Sequence, residues 1–370
     1  MAERPLRIAL SGYYGCGNTG DEAVLAGIVE SFARRAGPGA ARFTVLSQDP
    51  ADTEQRHGLR AVDRMNLSAV RGALRESDLL LSGGGSLLQD TTSVRSLIYY
   101  LWIARMGLRA GLPVMFYAQG IGPLNRPISR LLTRLVANRV AAITVRDPGS
   151  ADLLRRIGVN RPPIEVTADP AFALTPALDE RVQDIRLRAG VETGRLAVGI
   201  ALRPWSTVSV EGLAAACDSI AESTGAQLVF IPMQPPGDVA ISTAVAAAMK
   251  RNDSARIVQE PLLPREALGL VGSMDVLVAM RLHALIFAAA AGGVPIVALS
   301  YDPKVTQLME GLEQGTFKFE LDAFDAERTA QAVTGTLEQG EESLVRYRSK
   351  AAAMAERALV NVDRAMALVR

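Results

Sequence analysis

The residues best equipped for chemistry follow short apolar runs. Asp275-Val276-Leu277-Val278-Ala279-Met280-Arg281-Leu282-His283 delivers an arginine and a histidine, one leucine apart, at the start of an alanine-rich helical pattern. An imidazole exchanges protons near neutral pH and a guanidinium binds anions, so the pair suits acid–base work on an anionic substrate. The chain has only two histidines, and His57 lies in an unremarkable polar stretch. A lone histidine is more often structural; the placement of His283 beside Arg281 at a strand end favours function. The next apolar run ends in Ser300-Tyr301-Asp302-Pro303-Lys304, adding an ammonium that also reads as an exposed first-turn lysine. Arg146-Asp147 ends another run, where the guanidinium either meets phosphate or carboxylate bidentately or pairs with Asp147. Arg203-Pro204-Trp205 and Met233-Gln234 follow two more. Cations grouped this way in a neutral chain point to a small, multiply charged anion.

The remaining candidates are glycine-rich turns. Gly12-Tyr13-Tyr14-Gly15-Cys16-Gly17-Asn18-Thr19-Gly20-Asp21-Glu22 follows the first apolar run, and Gly15, Gly17 and Gly20 formally satisfy a dinucleotide fingerprint. However, Asp21 and Glu22 stand where a pyrophosphate needs positive potential, and no acid lies about 20 residues onward. A P-loop lysine is missing too. The turn reads as a ligand loop with Asn18 and Thr19 as polar groups, or as a plain turn with Asp21 capping the helix. Ser82-Gly83-Gly84-Gly85-Ser86-Leu87-Leu88-Gln89-Asp90 bares backbone N–H groups at Gly84 and Gly85, as an anion nest or for close packing. Gln119-Gly120-Ile121-Gly122-Pro123 ends a third run. Three such ends point to one crevice outside a sheet.

The elements that must position these residues alternate between short apolar runs and amphipathic stretches, the pattern of covered parallel sheets. Strands are predicted at 6–11, 43–47, 78–82, 113–118, 142–145 and 164–167, then at 196–202, 227–232, 256–259, 275–278 and 296–299. The rhythm breaks at 174–194, where Thr175-Pro176 precedes a charged stretch. The expected fold is therefore α/β, with two Rossmann-like doubly wound domains facing a cleft. Residues 1–185 form the first, 186–325 the second, and 326–370 a helical tail packing back on the first domain. At 370 residues and about 150 per domain, the length agrees. Apolar residues make up 49% and charged ones 21%, so a sizeable core can be buried. Forty basic against 39 acidic residues give a formal charge of +1, without the excess of a nucleic-acid binder. Cys16 and Cys217 lack metal-type spacing, so neither a zinc site nor a disulfide scaffold is expected. No targeting segment is evident at MAERPLRIAL, and the apolar run 283–300 is broken by Gly292-Gly293 and Pro295. Tyr99, Tyr100 and Trp102 read as helix core rather than as a lipid-facing or dimer patch. The last helix, with Arg346, Arg348, Lys350, Arg357 and Arg364, offers a membrane surface a transient contact, but intervening acids favour a solvated face. The chain is expected in the cytoplasm, peripheral at the membrane's inner face at most.

Taken together, GYYGCGNTGDE (12–22), SGGGSLLQD (82–90), AQGIGP (118–123), Arg203-Pro204-Trp205, MRLH (280–283) and SYDPK (300–304) closely resemble the polysaccharide pyruvyl transferase family. The likeness is greatest to the CsaB type, which modifies a secondary cell-wall polymer for S-layer anchoring. It runs from about residue 6 to about residue 310 in preserved motif order. The resemblance implies a glycosyltransferase-B-like fold with phosphoenolpyruvate as co-substrate and no resident cofactor. The implied acceptor is a lipid-diphosphate-linked disaccharide whose terminal N-acetylmannosamine becomes a 4,6-pyruvate ketal. By resemblance Arg146, His283 and Lys304 carry donor binding and catalysis, while Asn18 and Arg64 match acceptor-side positions. Arg281 completes the cations available to the donor; Asp21, Gly84, Gly85, Gln119, Arg203 and Gln234 are expected in acceptor or loop contacts. Two other classes fit the same fold: a sugar-nucleotide-dependent glycosyltransferase and a non-enzymatic sugar- or nucleotide-binding protein.

Overall fold

Leu79, Leu80 and Leu81 are all fully buried in the computed structural model, which describes residues 4–91 and 93–369. A strand covered on both faces has no polar side, so its sequence is apolar throughout rather than alternating. The chain forms two compact units, Met1–Leu174 with Met354–Arg370, and Thr175–Ala353.

The first unit runs β1 (Leu6–Tyr14), α1 (Thr19–Ala36), β2 (Ala41–Ser47), α2 (Pro50–His57), β3 (Arg60–Asp63), α3 (Leu67–Glu76) and β4 (Leu79–Gly83). It continues through α4 (Val94–Arg109), β5 (Val114–Gln119), α5 (Pro127–Ala137), β6 (Ala142–Val145), α6 (Pro148–Arg156) and β7 (Ile164–Val166). The strands form one parallel sheet in the order β3-β2-β1-β4-β5-β6-β7. Leu80, Val114 and Phe116 pack on one face with Leu97, Leu101 and Ala104 of α4. Leu79, Leu81, Met115 and Tyr117 pack on the other with Val24, Leu25 and Ile28 of α1.

The second unit runs α7 (Asp179–Arg188), β8 (Ala197–Ala201), α8 (Val210–Thr224), β9 (Gln227–Phe230), α9 (Gly237–Ala248), β10 (Ala255–Ile257), α10 (Pro264–Gly272) and β11 (Val276–Ala279). After these come α11 (Leu282–Ala290), β12 (Ile296–Ser300), α12 (Pro303–Gly311), β13 (Lys318–Glu320), α13 (Ala326–Leu337) and α14 (Glu341–Ala367). Its parallel sheet is ordered β10-β9-β8-β11-β12-β13. Each sheet reverses order once, between β1 and β4 and between β8 and β11. Both are doubly wound α/β sheets, as expected.

The sequence reading misses β3 and β13. Both are three- or four-residue edge strands with partly exposed side chains, and so show little apolar signal. Tyr100 is buried, while Tyr99 and Trp102 pack against the core of the first unit, which makes that cluster helix core. No helix of the described residues is long and apolar enough to cross a membrane.

Helix α14 begins in the second unit, where the Tyr347 hydroxyl donates to the Val294 carbonyl at 3.0 Å. Its later turns belong to the first. There Val362 and Ala365 join the α1 face of the core, and Arg364 pairs with Glu165. Asn361 is fully buried; it accepts from Thr167 Oγ1 at 2.8 Å and donates to the Ala168 carbonyl at 3.2 Å. Asn361→Ala removes the amide donor to the Ala168 carbonyl and leaves the Thr167 hydroxyl only its longer bond to the Val145 carbonyl at 3.3 Å, and is expected to cost about 1–3 kcal/mol. Equilibrium denaturant unfolding checks this; an unchanged midpoint would show that water replaces the amide.

Candidate functional site

Parallel strands put all their carboxyl ends at one edge of a sheet, and there the predicted residues of each unit gather. In the first unit Gly15, at φ +70°, begins the loop after β1. A Cβ there would lie 2.1 Å from Ser47 Oγ and 2.6 Å from Asp49 N, so only glycine fits. The Gly15 amide donates to Glu22 Oε1 at 2.8 Å, and Glu22 Oε2 meets His57 Nε2 at 2.9 Å. Both side chains are 5% exposed. His57, dismissed on sequence, thus ties the last turn of α2 to the glycine loop. No motif signals the pair; Glu22 and His57 meet only because β1 and β2 are neighbours.

Asn18 caps α1, accepting from the Gly20 amide at 3.0 Å. This corrects the reading of Asp21 as cap: a residue in the first turn is already helical, whereas Asn18 still has extended backbone. Asp21 Oδ1 instead lies against Gly85, 2.6 Å from where a Cβ would be. A Cβ on Gly84 would strike Val24 at 1.9 Å, so that glycine serves close packing beneath the loop. Gln119 is fully buried and clasps β4 to β5 by donating to Ser82 O at 2.7 Å and Ser82 Oγ at 2.9 Å.

Arg146 does not pair with Asp147, which caps α6 by accepting from the Ser150 amide at 2.6 Å. Its Nη1 meets Asp169 at 2.7 Å and its Nη2 donates to Ser86 Oγ at 2.9 Å. Burial disfavours the cation, but Asp169, Asp147 and Asp21 outweigh it and hold the guanidinium charged. Gly120 leaves the room; a Cβ there would approach Arg146 Nε to 2.8 Å. Arg64 lies over the rings of Tyr13 and Tyr99, 5.9 and 5.3 Å from their centroids, and donates to the Tyr100 hydroxyl at 3.4 Å. Cys16 lies in the same loop; burial raises its thiol pKa although Arg64 lowers it, so the thiolate is disfavoured.

In the second unit two side-chain bridges cross the sheet edge. Arg281, after β11, reaches over β8 to the loop after β9. Its Nε donates to Asp238 at 3.0 Å, its Nη2 also bonds Asp238, and its Nη1 donates to Gln234 Oε1 at 3.1 Å. Asp238 is fully buried and accepts from the Met233 and Gln234 amides as well. Three of the five N–H donors of the Arg281 guanidinium are so used, leaving two. Arg203, after β8, reaches over β11 to Tyr301, donating to its hydroxyl at 2.6 Å. It also lies 5.2 Å from the Trp205 ring centroid and 4.7 Å from that of Tyr301. Arg203 forms no ion pair among the described residues, and its buried Nε lacks a hydrogen-bond partner. Beneath that bridge Arg281 is the N-cap of α11 without a side-chain cap, and His283 lies in the first turn. Lys304 stands in the first turn of α12, its ammonium 3.9 Å from Asp302 and 15% exposed. The structure thus brings Arg203, Gln234, Arg281, His283 and Lys304 to one edge, and Asn18, Asp21, Gly84, Gly85, Gln119 and Arg146 to the other unit's edge. Asp238, Asp169 and Tyr301 are the partners that sequence reasoning omits.

The profile of the family described as polysaccharide pyruvyl transferase matches residues 18–303. No curated protein sequence matches the chain. Among solved structures, Anabaena HepE in complex with UDP is similar at TM-score 0.63 and 14% identity, covering 98% of each chain. The UDP-GlcNAc 2-epimerase of Methanocaldococcus jannaschii gives 0.60 and 15%, over 90% of this chain and 93% of that one. E. coli ADP-heptose LPS heptosyltransferase II gives 0.55 and 15%, over 90% and 99%. These likenesses show a glycosyltransferase-B type of fold.

The Gly15–Glu22–His57 contact predicts a graded response. Glu22→Ala leaves the Gly15 amide and the imidazole without their acceptor and should cost about 1–3 kcal/mol. Glu22→Gln keeps an acceptor and a donor and should lose less than half of that. Equal losses in denaturant unfolding would mean the carboxylate only fills space.

Proposed function

The chain belongs to the polysaccharide pyruvyl transferase family, and we propose that it is a phosphoenolpyruvate-dependent, ketal-forming enzyme of the CsaB type. Its acceptor on this reading is a lipid-diphosphate-linked cell-wall disaccharide ending in N-acetylmannosamine, and its product serves S-layer anchoring. The observation that carries the reading is the edge of the second sheet, where Arg203, in no ion pair among the described residues, shares the strand ends with Arg281, Lys304, His283 and a helix start without a side-chain cap.

Phosphoenolpyruvate presents a phosphate and a carboxylate. In this proposal Lys304, the free donors of Arg281 and the start of α11 take the phosphate. Arg203 takes the carboxylate: unlike Arg281 and Arg146 it makes no ion pair among the described residues, and the Trp205 and Tyr301 rings orient it without cancelling its charge. Arg146, held charged by Asp169, is the remaining donor-binding and catalytic cation. Asn18 and Arg64 are assigned to the acceptor, with Asp21, Gly84, Gly85 and Gln119 shaping its loops and Gln234 holding Arg281.

The chemistry needs a proton on the methylene carbon, which leaves C2 electron-poor. One sugar hydroxyl adds there, the C2–O bond to phosphate breaks, and the second hydroxyl closes the ketal. Of the two hydroxyl protons released, one is balanced by the new methyl group and the other leaves with phosphate. His283 is the residue assigned to give and take these protons.

The decisive experiment incubates the protein with phosphoenolpyruvate and a synthetic lipid-linked disaccharide, following phosphate release and the acceptor's mass. Both should appear together. A second reading, a sugar-nucleotide glycosyltransferase, draws on the likeness to a UDP complex. It requires a thermal shift with a UDP-sugar and none with phosphoenolpyruvate; the opposite is expected.

Two variants separate binding from proton transfer. His283→Gln should lower saturated turnover by about 10²–10⁴-fold with a small effect on donor affinity. Arg203→Met should instead weaken phosphoenolpyruvate binding about 10–100-fold, the equivalent of hydrogen bonds to a charged group. Near-normal turnover of His283→Gln would move the general acid elsewhere, to Lys304 first.

A further inference from the structure

Between Asp90 and Asp147 the sequence holds eight arginines and no aspartate or glutamate, in a chain whose formal net charge is +1. Helix α5 lies in this stretch and has two unlike faces. Ser129, Thr133 and Ala137 point inward and are buried. Ile128, Leu131 and Leu135 point outward and are 52%, 47% and 50% exposed. Spaced three and four residues apart, they form one continuous stripe. Apolar side chains this exposed on successive turns are not scattered surface residues; they mark an interaction face.

Arginines border the stripe. Arg130, Arg134 and Arg156 line a recess of about 420 Å³ together with Leu131, Leu153 and Ile157. None of the three is in an ion pair among the described residues; Arg130 donates to the Leu124 carbonyl at 2.7 Å. The one carboxylate of the neighbouring α6, Asp152, pairs with Arg155 at 3.1 Å. The entry to α5 is fixed, because buried Asp90 accepts from the Asn125 and Arg126 amides at 2.8 Å each. The face is therefore a rigid part of the first unit.

We propose that this face of α5 docks on an anionic phospholipid bilayer. Ile128, Leu131 and Leu135 enter the boundary between headgroups and acyl chains, and the three arginines hold lipid phosphates. Charge complementarity selects the occupant: an acid-free, arginine-bordered apolar stripe matches a negative surface, and a second copy would bring arginine against arginine. The inference is independent of the donor chemistry proposed above.

The test is co-sedimentation of the full chain with vesicles of phosphatidylcholine and phosphatidylglycerol, against vesicles of phosphatidylcholine alone. Binding is expected only to the mixed vesicles and should weaken with added salt. Replacing Arg130, Arg134 and Arg156 together by glutamine should lower affinity about a hundredfold, at roughly fivefold per arginine. Leu131→Gln with Leu135→Gln should lower it by about tenfold or more. Circular dichroism and thermal unfolding confirm that the variants fold, as expected for exposed positions. Equal binding to both vesicle types, or variants that bind like the parent, would overturn the proposal. So would vesicle-free behaviour in which inorganic phosphate binds the arginines, or sedimentation analysis in which the leucine variants convert a dimer to monomers.

Discussion

Because every strand in each sheet runs the same way, all strand carboxyl ends and the helix starts that follow them meet at one edge. That single constraint decides where chemistry can be placed on this chain. The sheet interior is apolar on both faces, as Leu79–Leu81 illustrates, and offers no room for charge. Several buried ionic groups gather at that edge instead. Three are held there by partners that follow another strand: Arg146 by Asp169, Arg281 by Asp238, Glu22 by His57. Isolated, any of these groups would face a desolvation cost of several kcal/mol. Paired across strands, they fix loops that have few apolar contacts of their own.

The two cross-strand bridges of the second unit show how position and charge are separated. Arg281 is neutralised by Asp238 and mainly fixes geometry, anchoring the loop after β9 to the start of α11. Arg203 is supported by aromatic rings, which orient a guanidinium without cancelling its charge. Two arginines that look alike in sequence therefore differ in what they can still bind.

That distinction also marks the limit of what the sequence makes legible. Central strands stand out because burial on both faces demands unbroken apolar runs. Edge strands β3 and β13 do not, since half of each faces solvent. The residues at the strand ends are equally visible, down to Arg146, Arg281, His283 and Lys304. Their partners are not. Asp238 lies 43 residues from Arg281, and His57 lies 35 from Glu22; only the strand order β10-β9-β8-β11 and the adjacency of β1 and β2 bring them together. Asp147, adjacent to Arg146, reads as its natural partner, yet the start of α6 claims its carboxylate as a cap.

The later turns of α14 give the first unit a discontinuous sequence, with residues 175–353 inserted between its parts. A ribosome delivers the chain from the amino end, so the second unit's sheet strands all emerge before Val362 and Ala365 do. During that interval the α1 side of the first sheet lacks part of its cover, and the Thr167 hydroxyl lacks Asn361. The first unit can begin folding early but can finish only after the whole of the second unit has emerged. In a nascent chain, the order of completion is the reverse of the order in the sequence.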